Sequence, residues 1–179
     1  ELFFGREALI DKLWQAYQRR YKAEAGLRLL AILGPSGSGK SSVARAGLIP
    51  VLRRQPVPGK RASQVVLFKP GERPIERLAR AILPLLPGPP SALQVTLQLQ
   101  SETVLRHLNE RGEADGLRRL AMTLPDIERA PLVVVVDQFE EAYVQCKNPA
   151  ERDLFVALLL HAAADREGYV CEHSQNPQF

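Results

Sequence analysis

The stretch "LLAILGPSGSGKSSVARAGLIP", Leu29 to Pro50, decides how the rest of the chain is read. An apolar run, residues 27–33, ends at a glycine and reads as a buried strand. Gly34, Pro35, Ser36, Gly37, Ser38, Gly39, Lys40 and Ser41 then satisfy G-x-x-x-x-G-K-[ST] at every position. Glycines let the backbone curl so that successive N–H groups face an anion. A helix is expected to begin in this loop, with Ser42 in its first turn, and to stop at Pro50. Its free N–H groups and dipole add to the anion site. In such a loop the lysine ammonium, here Lys40, lies between β- and γ-phosphates, and the hydroxyl of Ser41 binds Mg2+.

A polyphosphate site of this kind needs a second acid to hold the cation. "PLVVVVDQFEE" supplies one. Leu132 to Val136 is apolar on both faces, as in a parallel strand covered by helices. Asp137 follows at the carboxyl end of that strand, where ligands of open parallel sheets gather. This is the Walker B position, so Asp137 is a metal-site candidate together with Ser41. Glu140 and Glu141 come within one further turn, and either carboxylate is a candidate for polarising an attacking water.

Outward from these motifs the pattern alternates. Residues 6–22 place Leu9, Ile10, Leu13, Trp14, Tyr17 and Tyr21 at helical spacing. "QVVLFKP", Gln64 to Pro70, reads as a strand. Pro74 suits a first helical position, with Ile75, Leu78, Ala79 and Ile82 on the buried face. "LPLLPGPPS", residues 83–91, opens a Pro-rich and helical insertion over 83–130, with weaker helices expected at 101–111 and 116–124. Asn148, Pro149 and Glu151 have the pattern of an N-cap, a first-turn proline and a capping-box acid. That helix is expected to run to about Arg166 and to bury Leu154, Phe155, Leu158 and Leu159. Residues 168–179 form a poorly defined tail. Strands alternating with helices make a single α/β domain over 1–179, a three-layer αβα arrangement with a mainly parallel sheet.

Composition narrows the function classes. The chain has 179 residues, 45% of them hydrophobic and 25% charged, enough for one real core. No run approaches the roughly 20 apolar residues that span a bilayer, so no membrane role is expected. Cys146 and Cys171 form no CxxC pair and read as reduced thiols, and the three histidines share no ligand spacing. The net charge is +4, with basic residues scattered in short groups such as Arg19-Arg20-Tyr21-Lys22 and Arg53-Arg54. These are solvated helix ends by their placement, and nucleic acid is not the expected partner. The opening "ELFFGRE" reads as the interior of a longer chain.

Three motifs in order carry a resemblance. "FFGREALIDKL", Phe3 to Leu13, resembles the hydrophobic-hydrophobic-Gly-Arg-Glu box that precedes the P-loop in STAND and related AAA+ ATPases. It is followed by "LLAILGPSGSGKSSVARAGLIPVLRR" and by "VVVVDQFEEAY". With "FKPGERPIERLARAIL", the set resembles the bacterial novel STAND NTPase family from residue 1 to about 166. The ABC transporter signature is not found in residues 101–131, which separates the chain from those ATPases.

The resemblance implies a P-loop fold that binds ATP with Mg2+ and acts as a slow regulatory switch in a bacterial cytoplasm. It implies self-association of the parent protein, with effector domains and sensor repeats, WD-repeat propellers among them, on either side. It also implies that Phe4, Gly5 and Arg6 fold over the adenine base. Two departures stand out. Gln138 replaces the glutamate that usually follows the Walker B aspartate, so a NACHT-like pattern places the water-activating role on Glu141 or Glu140. The ending "REGYVCEHSQNPQF" has little resemblance to the sensor strand of this branch, as in a domain truncated at its C-terminus. A small-molecule kinase with the same loop and a nucleotide-independent scaffold are the two other readings.

Overall fold

The computed structural model describes the backbone of residues 6–22, 27–87 and 94–164, with side chains from residue 98 onward in the last segment. Phe3, Phe4, Gly5, Cys171 and the tail 168–179 lie outside the described residues, as does part of the Pro-rich connector.

Valine-rich sequence forms the centre. Strand β1 (Gln64–Phe68) pairs in parallel with β2 (Leu132–Val136), Gln64 opposite Leu132 and Phe68 opposite Val136. Successive side chains of a strand point to opposite faces, and the two faces meet different partners. Val66 and Phe68, with Leu132, Val134 and Val136, pack into one cluster with Ile75, Leu78, Leu105, Leu117, Phe155 and Leu158. Val65, with Leu67, Val133 and Val135, packs into another with Leu48, Ile49 and Leu52. Helices therefore cover both faces of a two-stranded parallel sheet.

On the second face lie α1 (Glu7–Lys22) and a helical rod built of three pieces. The rod starts as α2 (Lys40–Ser42), widens into a π turn (Val43–Leu48) and ends as α3 (Ile49–Arg54). The sequence pattern predicts a stop at Pro50, but the rod runs through it to Arg54. The π turn is the reason. Ile49 N–H reaches back to Ala44 O, five residues away, and that wider loop relaxes the clash between a proline ring and the carbonyl four residues before it. α1 is fastened to this rod and to β1. Ile10 lies over Gly47, where a Cβ would come within 2.6 Å of its Cδ1. Tyr17 stacks on Trp14 at 5.5 Å, and its hydroxyl is 3.0 Å from Ser63 Oγ. Leu9, placed on the apolar stripe by spacing, is exposed.

The first face carries α4 (Pro74–Ile82), a 3-10 turn (Leu83–Leu85), α5 (Gln94–Leu105), α6 (Gly116–Met122) and α8 (Pro149–Ala163), with the short α7 (Glu141–Val144) after β2. α4 has the expected proline start and buries Ile75, Leu78, Ala79 and Ile82. α5 spans 94–105 rather than 101–111. Its end is set by α6, because a Cβ at Gly116 would overlap the carbonyl oxygens of Val104 and Leu105. Asn148 caps α8 as expected, accepting from Ala150 and Glu151 N–H at 3.1 and 3.3 Å. The capping box is only half made, since the Glu151 carboxylate turns to Arg106 Nη2 at 3.5 Å. α8 ends at Ala163, and of its expected core positions Phe155 and Leu158 are fully buried.

The expected strand at 27–33 is a correction. Apart from an isolated antiparallel bridge between Leu27 and Ala164, this run makes no ladder among the described residues. Ile32 packs on the second cluster, but Leu29 and Leu30 are exposed and Leu33 is 89% exposed. An apolar run becomes a strand only when a neighbour pairs its N–H and C=O groups, and β1 and β2 pair with each other instead. β2 shows the same shortfall, each of its residues being only half-buried.

Candidate functional site

Gly39 turns the chain from loop into rod. Its φ is +82°, which glycine adopts without a Cβ clash, and Gly37 at +77° makes the preceding bend. The first bond of the rod runs from Val43 N–H to Gly39 O at 2.9 Å. The N–H groups of Lys40, Ser41 and Ser42 thus open the helix without an intrahelical acceptor.

Two cations hold the loop's carbonyls. Lys40 Nζ donates to Gly34 O at 2.7 Å and to Pro35 O at 2.8 Å. Arg6, at the foot of α1, donates through Nη1 to Ser38 O at 3.1 Å and to Gly39 O at 3.4 Å. A trans peptide carries its C=O and N–H on opposite sides. Drawing the carbonyls of Pro35, Ser38 and Gly39 toward these cations sends the N–H groups of Ser36, Gly39 and Lys40 the other way. Of these, the Lys40 N–H stands at the head of the rod with those of Ser41 and Ser42, where a helix start favours an anion.

Ser41 and Asp137 meet. The Ser41 hydroxyl donates to Asp137 Oδ1 at 2.6 Å, joining residues 96 apart in sequence. Asp137 N–H donates to Phe68 O, which extends the ladder by one step and fixes the acid at the strand end. The second carboxylate oxygen, Oδ2, accepts from Arg45 Nη2 at 2.8 Å and Nε at 3.2 Å. Asp137 is 8% exposed. Burial pushes its carboxyl up, but the Ser41 hydroxyl, the Arg45 guanidinium and nearby Lys69 outweigh this and hold it below the usual carboxylate range. The acid is therefore charged at neutral pH. A hydroxyl and an ionised carboxylate converging at the mouth of a phosphate loop form a hard-oxygen pair that fits Mg2+, which takes one or two carboxylates together with substrate phosphates.

Gln138, next in the chain, has φ +55°. A non-glycine residue there is strained, and the bend it makes leads into α7 through Glu141 N–H to Gln138 O at 2.9 Å. Phe139 anchors the bend by stacking on Phe155 at 6.1 Å. Glu140 is exposed. Glu141 lines a cleft of about 830 Å³ with Lys69, Gly71, Arg73, Arg77 and Gln145. The structure thus brings Arg6, Gly34 to Ser42 and Asp137 together, while neither glutamate is bonded to Ser41 or Lys40 among the described residues. Arg45 and the backbone of Gln138 are site features that motif reading passes over. Spacing carries a signal for the first: Arg45 stands four residues after Ser41, one turn along the same helix face.

No curated protein and no solved structure matches the chain. The family model for Novel STAND NTPase 1 matches residues 1–172. With that match over nearly all of its length, this chain belongs to the novel STAND NTPase 1 family, and it is a nucleotide-binding domain.

Proposed function

We propose that the domain loads ATP with Mg2+ and serves as the nucleotide-dependent switch of a larger signalling protein, in which hydrolysis is slow. The observation that carries this reading is the 2.6 Å bond between Ser41 and Asp137, which brings together two motifs 96 residues apart in sequence. β1 and β2, with helices on both faces, are then part of a wider parallel sheet in a three-layer P-loop fold. Mg2+ held by Ser41 and Asp137 would supply neutralisation of phosphate charge. The chain's own residues do the rest. Lys40 exchanges the carbonyls of Gly34 and Pro35 for phosphate oxygens, and the N–H groups at the head of the rod orient the polyphosphate. Arg6 braces the loop backbone from the α1 side, and the contact of Phe4, Gly5 and Arg6 with the adenine base is carried by the family resemblance alone. Glu141, or Glu140, orients water. Self-association and control by sensor repeats belong to the parent protein.

Calorimetry of ATP with Mg2+ tests the reading. Lys40→Ala is expected to abolish binding and leave the fold intact, because its two bonds replace water on an exposed loop. Equal affinity in the two proteins refutes it. Glu141→Gln should keep binding, since a water-orienting group matters mainly in the transition state.

A further inference from the structure

Arg45 belongs to no phosphate motif, yet it reaches across 92 residues of sequence to the acid at the end of β2. The two oxygens of the Asp137 carboxylate are divided between two donors on one rod. Ser41, on the first turn, takes Oδ1; Arg45, one turn further, takes Oδ2 with both Nη2 and Nε. Arg45 sits inside the π turn, a distortion that is found frequently at functional sites.

We propose that Arg45 is the positioning residue of the Mg2+ site, setting the plane of the Asp137 carboxylate so that Oδ1 stays aimed at the cation beside Ser41. This rests on the nucleotide reading above and goes further than it, because it gives a specific task to a residue outside both motifs. The terminal torsion of an aspartate is broad and roughly two-fold, so one contact leaves the carboxylate free to turn. Two donors on separate oxygens fix it. The guanidinium is rigid and approaches with two N–H groups at once, a fork that lysine cannot imitate.

A rival role is that of a plug, in which the arginine charge occupies the cation's place and repels it. The geometry favours positioning. Arg45 binds the oxygen that Ser41 does not, and leaves Oδ1 beside the Ser41 hydroxyl unoccupied by its guanidinium.

The test measures Mg2+ titrated into the full chain with a non-hydrolysable ATP analogue, and repeats it with Mn2+ read by electron paramagnetic resonance. Analogue affinity in EDTA is taken alongside, and circular dichroism checks the fold. Arg45→Met should leave affinity in EDTA nearly unchanged and weaken Mg2+ and Mn2+ by about 10- to 100-fold, the usual cost of losing an outer-sphere partner. Arg45→Lys, which keeps the charge and loses the fork, should fall between the two. If Arg45→Met does not fold, Arg45→Gln carries the same expectation. Unchanged metal affinity in Arg45→Met overturns the proposal, and tighter metal binding overturns it in favour of the plug. Full recovery in Arg45→Lys also overturns it, since charge alone would then suffice. Failure of the wild-type chain to bind the analogue refutes the nucleotide reading and this proposal together; normal wild-type binding with an indifferent Arg45→Met refutes the proposal alone.

Discussion

Gly39 shows how much one residue can carry. Its left-handed backbone opens the rod, and a Cβ there would lie 2.5 Å from Arg6 Nη1. Gly39→Ala is expected to cost about 1–2 kcal/mol of stability from backbone strain alone and to push Arg6 off the loop. Urea unfolding measures the first effect, and nucleotide affinity the second. Asp115 is a second such residue, remote from the loop. It stands at the N-cap position of α6 without a capping side-chain bond; its carboxylate instead accepts from Arg119 Nε at 2.8 Å, and His107 Nδ1 lies 3.0 Å from it. Burial pushes its carboxyl up, but Arg119 and His107 outweigh burial and hold it below the ordinary range. The folded chain then binds fewer protons than the unfolded one near the ordinary carboxyl value, about 3.9. The stability this group adds is complete above that value and is lost as pH falls through the lower, folded value. The difference in unfolding free energy between wild type and Asp115→Asn should accordingly be level from pH 5 to 7 and shrink below about pH 4. A difference that stays constant into acid would contradict this assignment.

At the scale of elements, α1 matters because it carries Arg6 to the loop, and its seat is the gap at Gly47. Gly47→Ala should destabilise by about 1–3 kcal/mol, the range for overpacking. Ile10→Ala should offset part of that loss in the double mutant, giving a coupling energy that identifies the contact. A strictly additive pair would mean that α1 docks elsewhere. Elements were legible in the sequence where a single local rule governs them. Pro74 and Asn148 start helices because one residue type suits one position, and β2 is written as a leucine followed by four valines. The rod's passage through Pro50 was hidden because proline reads as a stop, and only a backbone hydrogen-bond shift makes room for it. Residues 27–33 misled for the opposite reason: apolar content describes what a segment can bury, while a strand also needs a partner edge. Likewise Ser41 and Asp137 were legible from motif spacing, but Arg45 was not, since its meaning depends on β2 lying opposite.

For the molecule as a whole, the two-faced sheet and the loop ahead of it differ in how their backbone is secured. Amides of β1 and β2 within the parallel ladder should resist hydrogen exchange far longer than those of Leu29 to Leu33, which lack ladder bonds. Mass spectrometry of peptic fragments can compare the two. Similar protection in both segments would show that 27–33 is paired in solution. Ligand should couple to global stability as well. ATP and Mg2+ at 100-fold excess over the dissociation constant should add about 2.7 kcal/mol, visible as a higher melting temperature in wild type and absent in Lys40→Ala.

The wide turn at Val43–Leu48 has a bearing on tolerance to changes of length. Each α-helical residue advances the chain by about 100°, so a turn closed over five residues holds roughly one residue more than its surroundings. The first half of the rod is phased to the acid just after β2 through Ser41 and Arg45, and the second half to the core through Leu48 and Leu52. The surplus residue acts as a clutch between these phases. Deleting one codon within the turn would rewind it to ordinary pitch, set the Pro50 ring against a carbonyl, and swing one of the two faces out of line. In this segment, therefore, length is under constraint as well as composition.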